Sequence, residues 1–333
     1  MEQIYCSVSE IVEDVGQLGI SEAAVMGKIQ AASQFILKEI GQFLPVLETR
    51  YFEGEGDDEL LVPPLLKVTS ILNQGVTLQA TDYLLQPDGR RWRNGPYDTI
   101  ELYDLGSALA WSELDRGVVV PGWWGMYDEA VSVQLSAVSQ LIGDTTLVVS
   151  DGSKVSPGMV LLIGAEWELV TGTGAATAAG TTLSVNLDES AEEMKVSDGT
   201  KVNVGETIKV DFELMRVLDV SGNLVNVARG INGTARRPHS LNTAVMALRT
   251  FSVVRGANGS TAAAHTSAAV SRQVAPADVN YLCRQIAALM INKAKTNFSG
   301  RGGNDEAGTG FWVNEFPKNQ IEAVKSNYFW GGV

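Results

Sequence analysis

The segment Val149-Ser150-Asp151-Gly152-Ser153-Lys154-Val155 returns 47 residues later as Val196-Ser197-Asp198-Gly199-Thr200-Lys201-Val202. A self-similar stretch of this size is one supersecondary unit built twice, which limits the fold more than any single motif does. The register holds onward, with Gly158 matching Gly205, Ile163 matching Val210, Glu166 matching Glu213 and Val170 matching Val217. A shorter echo links Val227-Ala228-Arg229-Gly230-Ile231-Asn232-Gly233-Thr234 to Val254-Arg255-Gly256-Ala257-Asn258-Gly259-Ser260, each followed by a histidine. Dense Gly, Asn-Gly and Asp-Gly turns between Val, Leu and Ile runs predict an all-β barrel or sandwich of duplicated meanders over 131–272.

Helical patterns flank this region. Ser7-Val8-Ser9-Glu10 has capping-box spacing, with Ile11, Val15 and Leu18 on one face. Val25, Ile29, Ala32, Ile36, Ile40 and Phe43 recur at helical steps ending before Pro45, and Val279, Leu282, Ile286, Leu289 and Lys293 trace a matching stripe after Pro276. Between them, short strands are expected at 60–62, 67–72, 82–86 and 99–103, with Pro63-Pro64 and Pro87-Asp88-Gly89 as punctuation. A short helix over 108–116 and a turn at Pro121-Gly122-Trp123-Trp124-Gly125 complete the block.

The expected fold is therefore α+β: a small helical bundle core with β-hairpins, interrupted by an inserted all-β barrel or sandwich, plus an extended C-terminal tail. Residues 1–130 form the helical and hairpin core, 131–272 the insert, 273–299 the helix that completes the core, and 300–333 a Gly-rich linker and aromatic tail.

Hydrophobic residues make up 45% of the 333-residue chain and charged residues 19%, a globular balance. No charged leader opens the sequence, since its first twenty residues carry Glu2, Glu10, Glu13 and Asp14, so no secretory signal is expected. Cys6 and Cys283 are read as buried reduced thiols, and neither His239 nor His265 has a partner at ligand spacing, so neither a metal nor a cofactor is expected. The formal charge is -14, and the stretch from Val131 to Val227 holds 13 acidic against 5 basic residues. Such a surface repels free nucleic acid, although acidity also serves solubility.

Several N-terminal motifs occur in a telling order: Glu48-Thr49-Arg50-Tyr51-Phe52, the acidic Gly54 to Asp58 turn, Leu61-Val62-Pro63, and Thr81-Asp82-Tyr83-Leu84-Leu85-Gln86-Pro87. In this order, after two helices, they resemble the head-to-tail connector (adaptor) family of tailed-bacteriophage necks over roughly the first hundred residues. Glu213-Leu214-Met215-Arg216-Val217, with the following Arg-Gly-x-Asn-Gly-Thr segment and His, resembles a β-module of phage virion proteins. The resemblance implies a structural virion protein and not an enzyme, assembled in the host cytoplasm. It implies a ring of about twelve copies under the portal, bound to portal, to a tail-completion or tail-terminator protein and to itself, with genomic DNA passing through and no membrane partner. A tail-completion or capsid-decoration role is the first alternative. The second is a cell-wall glycan hydrolase using Glu166 and Glu168, which share one face of a strand.

For partner binding, to portal or a neighbouring subunit, the aromatic tail is the candidate: Phe311, Trp312, Phe316, Ile321, Val324, Tyr328, Phe329 and Trp330 follow a Gly-rich linker. The competing reading folds this tail onto the chain's own core. Arg90, Arg91, Trp92 and Arg93 are expected on a loop that contacts portal or DNA, against a plain solvated loop. The Arg-Gly segments before His239 and His265 lack the helix and lysine of a phosphate cradle and are read as turn chemistry.

Overall fold

The computed structural model describes residues 3–16, 20–87, 96–295, 301–302, 311–312 and 316–328. Strands hold 38% of these residues and helices 22%, which overturns the expected helical-bundle core: this is a β-sandwich class of protein. The stripes starting at Val25 and Val279 lie on helices, the first of which ends at Glu39, short of Ile40 and Phe43, but the strands around them form full sheets with their own cores, not hairpins decorating a bundle.

Four helices make one layer: α1 (Val8–Val15), α2 (Glu22–Glu39), α3 (Ala277–Lys295) and α4 (Lys318–Tyr328). Glu10 accepts the Ser7 backbone N–H at 2.7 Å and its hydroxyl at 2.8 Å, so the first helix starts at its predicted cap. The Ser21 hydroxyl accepts the Ala24 N–H at the start of α2. Helix α2 lies against α3, burying Ile29, Ile36, Leu282 and Ile286.

The N-terminal sheet contains β1 (Val46–Phe52), β2 (Glu59–Val68), β3 (Leu72–Asn73), β4 (Val76–Thr77), β5 (Tyr83–Pro87), β6 (Tyr97–Leu102) and β7 (Val118–Trp124). Its order is β4-β3-β7-β2-β6-β5, with β1 also on β7. Leu65, Ile100, Trp111, Val120 and Trp124 are buried in its core. Several expectations fail here. Residues 108–116 form no helix; Trp111 is instead held in the core, its indole N–H donating to the Asp58 carbonyl at 2.9 Å. Pro121, read as a turn, lies inside β7. On that flank β7 pairs with β3 at 118–119 and with β2 at 122–124. Pro121 falls between those partners, where its carbonyl accepts from Thr69 at 2.9 Å, so a residue without an N–H is tolerated. Pro63 and Pro64 likewise fall within β2, at its register shift against β6 between Leu61 and Leu65.

The rest of the chain contains β8 (Glu129–Ser132), β9 (Val138–Gln140), β10 (Thr146–Val148), β11 (Val160–Ile163), β12 (Glu166–Thr173), β13 (Thr177–Thr182), β14 (Glu193–Lys195), β15 (Thr207–Val210), β16 (Glu213–Ser221), β17 (Leu224–Arg229), β18 (Ala244–Ala247), β19 (Thr250–Val254), β20 (His265–Ala268) and β21 (Val270–Val274). A last short pair joins β22 (Arg301–Gly302) to β23 (Phe311–Trp312).

Two six-stranded sheets have the orders β10-β19-β12-β11-β21-β8 and β14-β17-β16-β15-β18-β13. They are one design used twice, strand for strand. Even the bulges agree, between Val170 and Gly172 in β12 and between Val217 and Asp219 in β16. The copies are nested. An outer module, 129–173 plus 250–274, is split at its β12–β19 connection, and the inner module, 177–247, is the whole of that connection. Each closes its own core, around Leu161, Val170 and Phe251 in the outer module and around Ile208, Met215 and Val245 in the inner one. The opposite face of the outer sheet, with Val160, Trp167 and Leu169, is covered by the helical layer.

Candidate functional site

Among the described residues, the densest ionic chemistry lies at equivalent places in the two modules. In the inner module Arg229 grips Glu213 with Nε and Nη2, both at 2.7 Å. Glu213 also accepts the Gly230 N–H at 3.0 Å and the Arg237 N–H at 3.1 Å, and lies 2.9 Å from His239 Nε2. Arg229 donates onward to the carbonyls of Asp188, Ala191 and Arg237. The outer module repeats each contact. Arg255 grips Glu166 at 2.7 and 2.8 Å, the Gly256 and Ala263 N–H groups add 3.0 and 2.8 Å bonds, and His265 Nε2 is 2.9 Å away. Arg255 donates to the carbonyls of Leu141, Asp144 and Ala263.

The local reason is turn chemistry. After β17 and β19 the chain turns through Gly230 at φ +65° and Gly256 at φ +61°, then through Asn232 at +52° and Asn258 at +51°. These loops expose backbone N–H groups that no strand satisfies, and the buried carboxylate collects them. Burial pushes both carboxyls upward, but the guanidinium, imidazole and backbone donors outweigh it, and Glu166 and Glu213 are held at about 2. Each arginine thus pins a long loop back onto its sheet, which is structural work.

The copies differ in one respect. Where the inner module has Leu187 and Met215, the outer has Gln140 and Glu168, both buried. Where the inner has Asp211, 2.7 Å from His239 Nδ1, the outer has Gly164. Each cluster therefore sets two carboxylates against one guanidinium and one imidazole, with the second acid supplied by β12 in the outer module and by the β15–β16 turn in the inner one. Burial raises Glu168, against the pull of Arg255. Its Oε1 is 2.9 Å from Arg255 Nε but takes no aligned hydrogen bond, because that N–H points at Glu166.

Glu166, Glu168 and His265 each bring a ligand atom within 4.8 Å of the others, a spacing a metal ion could bridge. The Arg255 guanidinium already sits among them as the cation, and the inner module makes the same Arg-Glu-His contact with Met215 in place of Glu168, so the donor set does not fit a metal requirement. As a hydrolytic pair the two carboxylates are also misplaced, at 1% and 0% exposure with Glu166 held by five donors.

The modules are joined by a third ion pair. Glu206 of the inner module, fully buried, accepts from Arg249 at 2.6 and 2.9 Å and from the Gly152 N–H at 3.0 Å. Beside it, a cleft of about 490 Å³ opens between α1, the start of α2 and both modules, with Lys154, Arg216, Arg272 and Glu13 among its walls.

Four of the tail residues expected as partner anchors pack on the chain's own core. Ile321 and Val324 are buried at 6% and 4% in the chain's own core, Phe316 meets Phe35 edge to face, and Tyr328 meets Phe43 and donates to Asp278 at 3.0 Å. These four residues pack on the cluster built by α2 and α3, and covering them is worth more than leaving them in water. Phe311 and Trp312 form β23, while Phe329, Trp330 and the Arg90, Arg91, Trp92 and Arg93 loop lie outside the described residues.

Sequence reasoning found both Arg-Gly-to-His echoes and the Glu166 and Glu213 match but did not join them. The signal was present: front halves recur 47 residues later, back halves 26 residues earlier, an order that only nesting produces. No described helix is long and apolar enough to cross a membrane. No family model matches this chain, and no curated protein or solved structure shows significant similarity to it.

Proposed function

We propose that this chain is a structural virion protein, a head-to-tail connector that forms a ring under the portal of a tailed bacteriophage. The carrying observation is that its strongest buried chemistry is spent twice on pinning loops to rigid sheets, as a load-transmitting scaffold requires and as catalysis does not. The motif order supports the same reading: Glu48 to Phe52 lies on β1, Leu61 to Pro63 on β2 and Tyr83 to Pro87 on β5, so these motifs share one sheet next to the helices. A formal charge of -14 per copy, repeated around a ring, lets a polyanion pass without being held. Portal, a tail-completion or tail-terminator protein and further copies of the chain are the partners this role requires.

Electron microscopy and native mass measurement of the purified chain, alone and with portal, test the proposal. Rings with a channel wide enough for duplex DNA, or a stable portal complex, are expected. A chain that stays monomeric and co-purifies with capsid shells or tail proteins, but never with portal, would overturn it.

A further inference from the structure

Two surfaces outside the buried clusters are unusual, and they are complementary. The first is a rim of the N-terminal sheet. Loops 53–59 and 103–115 are stitched together by Gly54 N–H to Ser112 carbonyl at 2.6 Å, Trp111 N–H to Asp57 carbonyl at 2.8 Å and Leu102 N–H to Asp58 carbonyl at 2.8 Å. This rim exposes Leu105 at 90%, Leu109 at 70% and Leu114 at 62%, amid the exposed carboxylates of Glu53, Glu55, Asp57, Asp58 and Glu59. Isolated surface leucines are ordinary, but three on one short stitched loop stand out.

The second surface emerges from comparing the two modules. In the outer module Val160, Leu162, Trp167 and Leu169 point away from the module core and are covered by helices. The equivalent inner-module residues are Thr207, Lys209, Leu214 and Arg216, half-buried and outside the helical core cluster; Thr207 and Arg216 border the cleft that α1 and α2 also wall. Neither Lys209 nor Arg216 has a carboxylate partner among the described residues. Phe212 projects beside them at 84% exposure, with the Lys209 ammonium 5.9 Å from its ring centre.

We infer that the acidic, leucine-bearing rim of one copy docks on the cationic outer face of the inner module of a second copy, a head-to-tail contact. Charge selects this pairing. Rim against rim sets carboxylates against carboxylates, whereas rim against inner module places Asp57 and Asp58 with Lys209 and Arg216 and gives the leucines the Phe212 and Leu214 surface. Because the two patches differ, the contact is heterologous, and repetition closes a ring when the rotation allows. The inference rests on the ring reading above and specifies which faces of the chain would form that ring.

The test uses the full chain in native mass spectrometry and sedimentation, across concentration and salt. Lys209→Glu with Arg216→Glu, and separately Asp57→Lys with Asp58→Lys, should each weaken self-association about tenfold or more, with circular dichroism unchanged because all four side chains lie outside the cores. The chain carrying all four changes should associate again, and added salt should weaken the wild-type contact. Assembly indifferent to both reversals, or lost by each and not restored by the fourfold change, overturns this contact while the wild-type ring reading stands. A wild-type chain that is monomeric throughout also overturns it, and capture of that monomer by portal would keep the connector reading alive.

Discussion

Replacing Arg229 by Met should destabilise the inner module with a pH dependence opposite in sign to that of the parent. Glu213 is 1% exposed and held at about 2 against an ordinary 4.5. The difference, at roughly 1.4 kcal/mol per pKa unit, makes its ionisation in the folded state worth about 3 kcal/mol. Breaking a buried pair by removing one partner costs a similar amount, about 3–5 kcal/mol. In the parent, a depressed carboxyl contributes stability that is complete above pH 4.5 and lost as pH falls toward 2. In the Arg229→Met chain the guanidinium is gone and burial, the largest influence on Glu213, pushes it upward, so acid relieves the stranded charge. The gap between the chains should thus be about 3–5 kcal/mol at pH 7 and shrink steadily as pH falls through 5 to 3. Urea unfolding at these pH values, with hydrogen exchange of β16 and β17 as the local readout, measures it. A penalty below about 1 kcal/mol at pH 7, or one that does not change with pH, would refute a buried ion pair as the loop's anchor.

Gly259 and its counterpart Gly233 both have φ +80°, but a Cβ on Gly259 would lie 2.0 Å from the Leu47 carbonyl oxygen, whereas nothing lies within 4 Å of one on Gly233. Gly233→Ala should cost about 1 kcal/mol for the left-handed backbone alone, and Gly259→Ala about 3 kcal/mol or more, as separate melting curves would show. Arg249→Ala should strand buried Glu206 and cost about 3 kcal/mol, with faster hydrogen exchange at Gly152 as the sign that the module junction has opened. Cys6 and Cys283 lie with Sγ atoms 3.3 Å apart and fully enclosed; their mutual hydrogen bond, then burial, raise the Cys6 thiol well above its usual range. Both should resist a thiol reagent in the native chain and react in urea; rapid native labelling would contradict their burial.

The features legible in sequence were those whose hydrogen bonds close within a few residues. The Ser7 to Glu10 cap and the Asp151 and Asp198 turns that accept from Ser153 and Thr200 lie where their spacing predicts, and the stripe from Val25 to Ile36 lies on α2, which ends before Ile40 and Phe43. The misreadings at 108–116 and Pro121 share a cause: local propensity was overruled by the N-terminal sheet, which needed Trp111 for its core and tolerated a proline where neighbouring strands change over.

Sequence alone determined that a β unit occurs twice, that an Arg-Gly turn with a following histidine also recurs, and that helices stand on either side. Only the tertiary structure decided that one copy sits inside the other, so that Glu166 meets Arg255 across 89 residues while Glu213 meets Arg229 across 16. It also decided that the described residues of α4 turn inward against Phe35 and Phe43. The reason is physical: a turn or cap is chosen by the side chains that make it, whereas ion pairing and the covering of an apolar face depend on which surfaces the whole chain brings together.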